Sequence, residues 1–131
     1  MARPEAYSGH AFRLRYAECL DGSHPAQEFF DGLPDQIKKK FGVSFKKLGD
    51  MGKLHNKEHF KIIEGTDFFE FKVHRYRIIC HFLPDRIVLL TNGCVKKKNK
   101  LEKEDVERAA RIYEEDESAS GGHSPARGKG N

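Results

Sequence analysis

Between Phe68 and Ala110 apolar and polar residues alternate in runs of strand length, and the last run changes to a helical period. Phe69, Phe71 and Val73 fall on one side of a period-two pattern and Glu70, Lys72 and His74 on the other, as a half-buried strand requires. A tight turn is expected at Arg75 and Tyr76. In the run that follows, Ile78, Cys80 and Phe82 share one face, while Arg77, Ile79 and His81 share the other. In the matching register Arg77 and His81 stand beside Lys72 and His74, and a slip of one residue would reverse the faces. Pro84 and Asp85 carry turn chemistry, and Arg86 to Leu90 reads as a third strand, so three short strands in series predict an antiparallel meander. Asn92, Gly93 and Cys94 are read as a bend, followed by the cluster Lys96, Lys97, Lys98 and Lys100. Val106, Ala109, Ala110 and Tyr113 then recur at i, i+3, i+4 and i+7, which predicts a helix from about Glu102 to Glu115.

The N-terminal part supplies the scaffold. Met1 to His10 shows no period and is read as a flexible leader, whereas Phe12, Leu14 and Tyr16 alternate with Arg13 and Arg15 in a first strand. Ser23 is placed to cap a short helix with Pro25 in its first turn. A second helix starts near Pro34, with Ile37, Phe41, Phe45 and Leu48 on one side and Lys38, Lys39, Lys40, Lys46 and Lys47 on the other. The stretch from Gly49 to Gly65, with His55 and His59, is read as a loop. Beyond Glu117 the serine- and glycine-rich run holds too little apolar surface to fold and is expected to be a disordered tail. The expectation is one domain over residues 11–116, of α+β class. Its order is β-α-α-β-β-β-α, with the helices on one face of an antiparallel sheet and a basic cleft on the other.

Composition narrows the function classes. The chain has 131 residues and a net charge of +4, and no apolar run is long enough for a signal peptide or membrane span, so a cytoplasmic protein without membrane partners is expected. Its three cysteines and seven histidines show no metal-ligand spacing, and neither a metal nor another cofactor is called for. Charge is unevenly distributed. From Asp35 to Lys100 there are 16 Lys or Arg against 7 Asp or Glu, whereas Leu101 to Glu117 has 3 against 8. A basic middle of this kind attracts a polyanion, and nucleic acid is the first candidate because neutralised phosphates release counterions.

The segment from Phe68 to Ile112 resembles the C-terminal half of the RelE/HigB/ParE toxin superfamily, and its phage-derived branch most of all. The resemblance is carried by the order Glu70-Phe71-Lys72, Tyr76-Arg77, Leu83-Pro84-Asp85, Ile87 to Leu90, Lys96-Lys97 and Ala109-Ala110, with Leu48-Gly49-Asp50 before it. It implies the toxin of a bacterial type II toxin-antitoxin module. RelE-like and HigB-like members cut messenger RNA on the ribosome without a metal, while ParE-like members share the fold and inhibit DNA gyrase. A third reading, an RNA-binding or ribosome-binding module without cleavage, also stays open. The implied partners are mRNA, the ribosome and a cognate antitoxin of helix-turn-helix type, with DNA bound only through the antitoxin complex.

Metal-free cleavage needs a base for the ribose 2′-hydroxyl, cations for the charge growing on the phosphate, and an acid for the 5′ oxygen. The resemblance assigns phosphate stabilisation to Arg77, whose guanidinium offers two parallel donors, with an ion pair to Glu70 or Asp85 as its structural alternative. Lys72 is the candidate base, since crowding beside Arg77 lowers an ammonium pKa. His74 is the next candidate and His81 the third, because imidazole titrates near neutrality. Lys96, Lys97 and Lys98 are placed to grip the RNA backbone, with Arg75 beside them and Lys46 and Lys47 extending the track along the second helix. Tyr76 either stacks on a base or anchors the hairpin in the core. At Phe68 and Glu70, where many members carry lysines, and at Asn99, Lys100 and Leu101, where they carry tyrosine or histidine, the chain departs from the pattern. The second departure leaves the proton donor unassigned.

Overall fold

A computed structural model describes residues 3–97 and 103–119. Along them run β1 (Glu5–Ser8), β2 (Arg13–Tyr16), α1 (Pro25–Asp31), α2 (Asp35–Met51), β3 (Phe60–Ile62), β4 (Phe69–Val73), β5 (Tyr76–Leu83), β6 (Ile87–Val95) and α3 (Lys103–Ala119). The class is mixed α+β, with a six-stranded sheet in the order β1-β2-β6-β5-β4-β3. The meander is present as expected, β4 to β5 to β6, each pair antiparallel. The rest of the sheet departs from expectation. β2 runs parallel to β6, pairing Leu14 with Val88 and Tyr16 with Leu90, so the sheet is mixed. Strands β1 and β3 add an edge on either side and lengthen the expected element order by two.

β1 lies within the segment read as a flexible leader. Its pairing with β2 gives it an ordered backbone, and Arg3 anchors its start by an ion pair to Asp116 at 2.9 Å. Asp116 is 1% exposed and also accepts the Glu18 backbone N–H at 2.9 Å, so the N-terminal segment and α3 are clasped together by a satisfied buried carboxylate. At α1 the cap is His24 rather than Ser23, whose hydroxyl is held by Asp21 at 2.6 Å. α2 continues to Met51 and ends on Gly52 at φ 80°, a conformation glycine adopts without strain. The stretch read as a loop therefore begins with helix and contains β3.

Helices cover both faces of the sheet, which corrects the expectation of one covered face. On the first face α1 and α2 bury Phe41, Phe45 and Leu48 against Leu14, Phe71, Ile78, Cys80 and Leu90. Phe45 meets Phe71 edge-on at 5.0 Å between ring centres; burying such a ring contributes roughly 1.5–3 kcal/mol. On the second face α3 sets Ala109 against Ile79 and Phe68, and Ile112 against Leu89 and Ala17. The strands are apolar on both sides at Ile78-Ile79 and Leu89-Leu90 because both sides are packed.

A bulge in β6 decides which residues share a face beyond the middle of the sheet. Ile79 pairs with Asn92 and Cys80 with Leu90, so Thr91 is the extra residue. Its hydroxyl donates to the Ile79 carbonyl at 3.1 Å and to the Asn92 side-chain oxygen at 2.8 Å. The bulge inverts the alternation, setting Gly93 toward α1 and Cys94 opposite Arg77. Gly93 has no room for a side chain, since a β carbon there would fall 2.1 Å from the Phe29 ring. The expected bend at Asn92, Gly93 and Cys94 is thus continuous strand. α3 extends to Ala119, past the expected start of the tail at 117. None of the described helices is long and apolar enough to cross a membrane.

Candidate functional site

The β4-β5 hairpin turns at His74 and Arg75, one residue earlier than expected, because Val73 pairs with Tyr76. His74 takes φ 54°, a left-handed value uncommon for a residue with a β carbon. Arg77 explains why the turn holds. Its Nη1 donates to the His74 carbonyl at 2.7 Å and to the Tyr76 carbonyl at 3.1 Å, so one guanidinium ties the turn to the strand that follows it. Arg77 Nε lies 3.3 Å from Glu70 Oε1, an ion pair without hydrogen-bond alignment. The structural alternative for Arg77, a salt bridge to Glu70, is therefore realised.

Register sets Lys72 directly opposite Arg77, as the alternation predicts, and Lys61 opposite Glu70 on the neighbouring strand. Burial, then the Lys61 and Arg77 cations, hold the Lys72 ammonium below its ordinary pKa, while Glu70 and Glu58 pull the other way. The bulge at Thr91 brings Lys96, the residue just past β6, to the same side. Lys96 is 3% exposed, and its ammonium has no hydrogen-bond partner among the described residues. Its backbone N–H bonds the Arg75 carbonyl at 2.7 Å, which fixes it beside the hairpin turn. Between Lys96 and Arg77 lies Cys94, whose thiol is pushed up to about 12 by burial and then by Asp105, the two cations opposing. Lys61, Lys72 and Arg77 thus gather around Glu70 on one face of the sheet, and Lys96 lies beyond Arg77 on the far side of Cys94.

The other residues singled out in the sequence are dispersed. His74 joins Lys47 and Lys72 in a groove between α2 and the outer end of β4. Lys46 does not, because its ammonium is held by Asp50 at 2.7 Å and lies over the Tyr7 ring. Tyr76 packs on Phe29 of α1 and anchors the hairpin in the core, so it is not on the Lys72 face. His81 lies four residues along β5 from Arg77, roughly 13 Å away. Its ring stacks on Tyr113 at 4.6 Å and meets Phe68 edge-on at 4.9 Å. Its Nδ1 lies 2.9 Å from the Phe82 carbonyl, which only accepts, so that nitrogen carries a proton. His81 therefore helps dock α3 and is not a neighbour of Lys72. Arg75 and Lys97 are exposed beside the hairpin, and Lys98 falls outside the described residues.

Sequence reasoning missed Lys61 and His59 as parts of this region. His59 accepts the Lys72 backbone N–H through its carbonyl at 2.9 Å and lines the groove with His74. Both residues sit in or beside β3, and a strand of three residues leaves almost no alternation to detect. Among the described residues, no group of three or more His, Cys, Asp or Glu is arranged to hold a metal ion.

No curated protein matches the chain closely enough to count as a relative. The family model described as Phage derived protein Gp49-like (DUF891) matches residues 28–114, which take in α2, the whole meander and most of α3, and the chain belongs to that family.

Proposed function

We propose that this protein is the toxin of a bacterial type II toxin-antitoxin module, an endoribonuclease that cuts messenger RNA on the ribosome by side-chain chemistry. Membership of the phage-derived Gp49-like family and the RelE-like order of Lys72, Tyr76-Arg77 and Lys96-Lys97 support the reading. The observation that carries it is the buried Lys96 ammonium, without a hydrogen-bond partner among the described residues, set across Cys94 from Arg77, which in turn pairs with Lys72. A buried charge is costly unless an opposite charge meets it, and a phosphodiester is the anion such a cluster fits.

In this reading neutral Lys72 takes the proton from the ribose 2′-hydroxyl as its oxygen attacks phosphorus. The bond from phosphorus to the 5′ oxygen breaks, leaving a 2′,3′-cyclic phosphate and, once His74 has protonated the departing oxygen, a free 5′-hydroxyl. Lys96 stabilises the charge on the phosphoryl oxygens, and Arg77, committed by Nε and Nη1 to Glu70 and the hairpin, holds the turn while adding to the field. A cognate antitoxin would cover the same face with acidic and apolar side chains.

Primer extension on cellular mRNA after induction tests the proposal. Discrete cuts are expected from the wild type and none from Lys72→Met. Growth arrest with intact mRNA and broken DNA would replace the nuclease with a gyrase inhibitor on the same fold, and RNA binding without cuts would leave a binding module.

A further inference from the structure

The groove between α2 and β4 adjoins the sheet face around Arg77 at Lys72 and has a composition of its own. It has a volume of about 540 Å³, within the usual range for pockets that seat small ligands. Lys40, Val43, Ser44 and Lys47 line its helical side at i, i+3, i+4 and i+7, one face of α2. Lys72 and His74 line the other side. Among the described residues, Glu58 is the one acidic residue on its wall, against three lysines and two histidines. Neither Lys40 nor Lys47 forms an ion pair or side-chain hydrogen bond among the described residues, so their charges are open to a ligand. Val43, at the lip, is 54% exposed.

We infer that this groove binds a single-stranded RNA segment adjoining the cleaved linkage, with Lys40 and Lys47 on successive phosphates and a base laid against Val43 and Leu54. The identification of the polymer rests on the ribonuclease reading; the site itself rests on the groove. Lys72 belongs both to this wall and to the cluster with Lys61 and Arg77, so a strand lying in the groove leads directly to the candidate base. An acidic helix fits less well. It needs a continuous apolar seam, and here Val43, Leu54 and Val73 are interrupted by Ser44, Asn56 and the two imidazoles, groups suited to base edges and ribose hydroxyls.

The test is binding of the full chain to a fluorescent 2′-O-methyl oligouridylate of about eight nucleotides, within the span such sites cover and unable to be cut. Lys40→Glu/Lys47→Glu is expected to weaken binding tenfold or more and to reduce the slope of log affinity against log salt by about 1.4, the loss of two single-strand phosphate contacts. Lys38→Glu/Lys39→Glu, the same charge change on the same helix outside the groove, is expected to weaken it far less. All four positions lie on the helix surface, and thermal melts check that both variants are folded. Equal weakening by the two variants would reduce the groove to diffuse charge and overturn the inference. So would displacement by a poly-glutamate peptide that binds more tightly than the RNA. Because the probe cannot be cleaved, absent nuclease activity sinks the proposed reaction without touching this result, and a wild type that does not bind the probe sinks the groove alone.

Discussion

Arg77 Nε faces Glu70 Oε1 at 3.3 Å, and each of the two side chains is only 7% exposed. An arginine so enclosed is first a part of the hairpin. Arg77→Ala strands a buried carboxylate and frees two turn carbonyls, a change that costs about 3–5 kcal/mol in comparable buried pairs. Urea unfolding should show that loss beside any loss of cleavage. The double variant Arg77→Met/Glu70→Leu should regain most of the stability and none of the cleavage, separating the two roles. An Arg77→Ala protein as stable as the wild type would show that the pair does not hold the turn.

Lys72 should leave its mark on the pH profile. In its proposed role as the base it works deprotonated, so single-turnover cleavage should rise with pH through a pKa that burial, then the Lys61 and Arg77 cations, hold below the ordinary lysine value. Lys61→Gln removes a cation that depresses this pKa and should move the rising limb to higher pH. Glu58→Gln removes a carboxylate that raises it and should move the limb lower. Lys72→Arg keeps the charge without a titratable base and should reduce the rate by about a hundredfold or more. Limbs that stay in place in both neutral variants would remove Lys72 from the reaction.

Lys96 predicts opposite effects on stability and function. Its ammonium is buried without a hydrogen-bond partner among the described residues, so Lys96→Met should stabilise the fold by roughly 1–3 kcal/mol, the penalty of an unsatisfied buried polar group. The same change should weaken RNA binding, because it removes the charge proposed to meet the phosphate. Thermal melts and oligonucleotide titration together decide the matter; a destabilised Lys96→Met would mean the ammonium has a role within the fold.

Alkaline pH should loosen the protein. Burial pushes the thiols of Cys19, Cys80 and Cys94 up, Cys94 to about 12, and pushes the Tyr16 hydroxyl to about 12. In the unfolded chain thiols ionise near 8.5 and tyrosine near 10, on the order of the model-peptide values. Raised folded values favour the protonated native state, so this stability is intact below about 8.5 and drains away as pH climbs toward 12. The melting temperature should begin to fall near pH 9, and Cys94→Ala should make the fall shallower. A melting temperature flat to pH 11 would contradict the assignment. In the native protein the same thiols should resist alkylation at pH 8 and react once denatured.

The central meander was legible because its residues alternate: Phe69, Phe71 and Val73 against Glu70 and Lys72, then Ile78 and Cys80 against Arg77 and Ile79. That alternation also foretold Lys72 opposite Arg77. α2 was legible from Ile37, Phe41, Phe45 and Leu48, all of them buried. β1 and β3 were not, since four and three residues at the sheet edges owe their form to pairing rather than to their own pattern. One available signal went unused. Ile78-Ile79 and Val88-Leu89-Leu90 are apolar without a break, the mark of strands packed on both faces, and they foreshadow α3 on the second face. The bulge at Thr91 has no comparable signature, yet it alone brings Cys94 and Lys96 round to Arg77. Part of the candidate site was therefore written in pattern and part only in register.

β6 is the last of the described strands along the chain, yet it stands between β2 and β5 in the sheet. Until it is synthesised, the β1-β2 pair has no sheet neighbour, and the β3-β4-β5 ladder lacks its inner partner. The sheet must close by a contact between residues more than seventy positions apart, Leu14 with Val88 among them, which favours slow, cooperative folding. A chain interrupted anywhere before β6 cannot set Cys94 and Lys96 beside Arg77, so any activity that needs them would arrive only once translation is well past the middle of the protein.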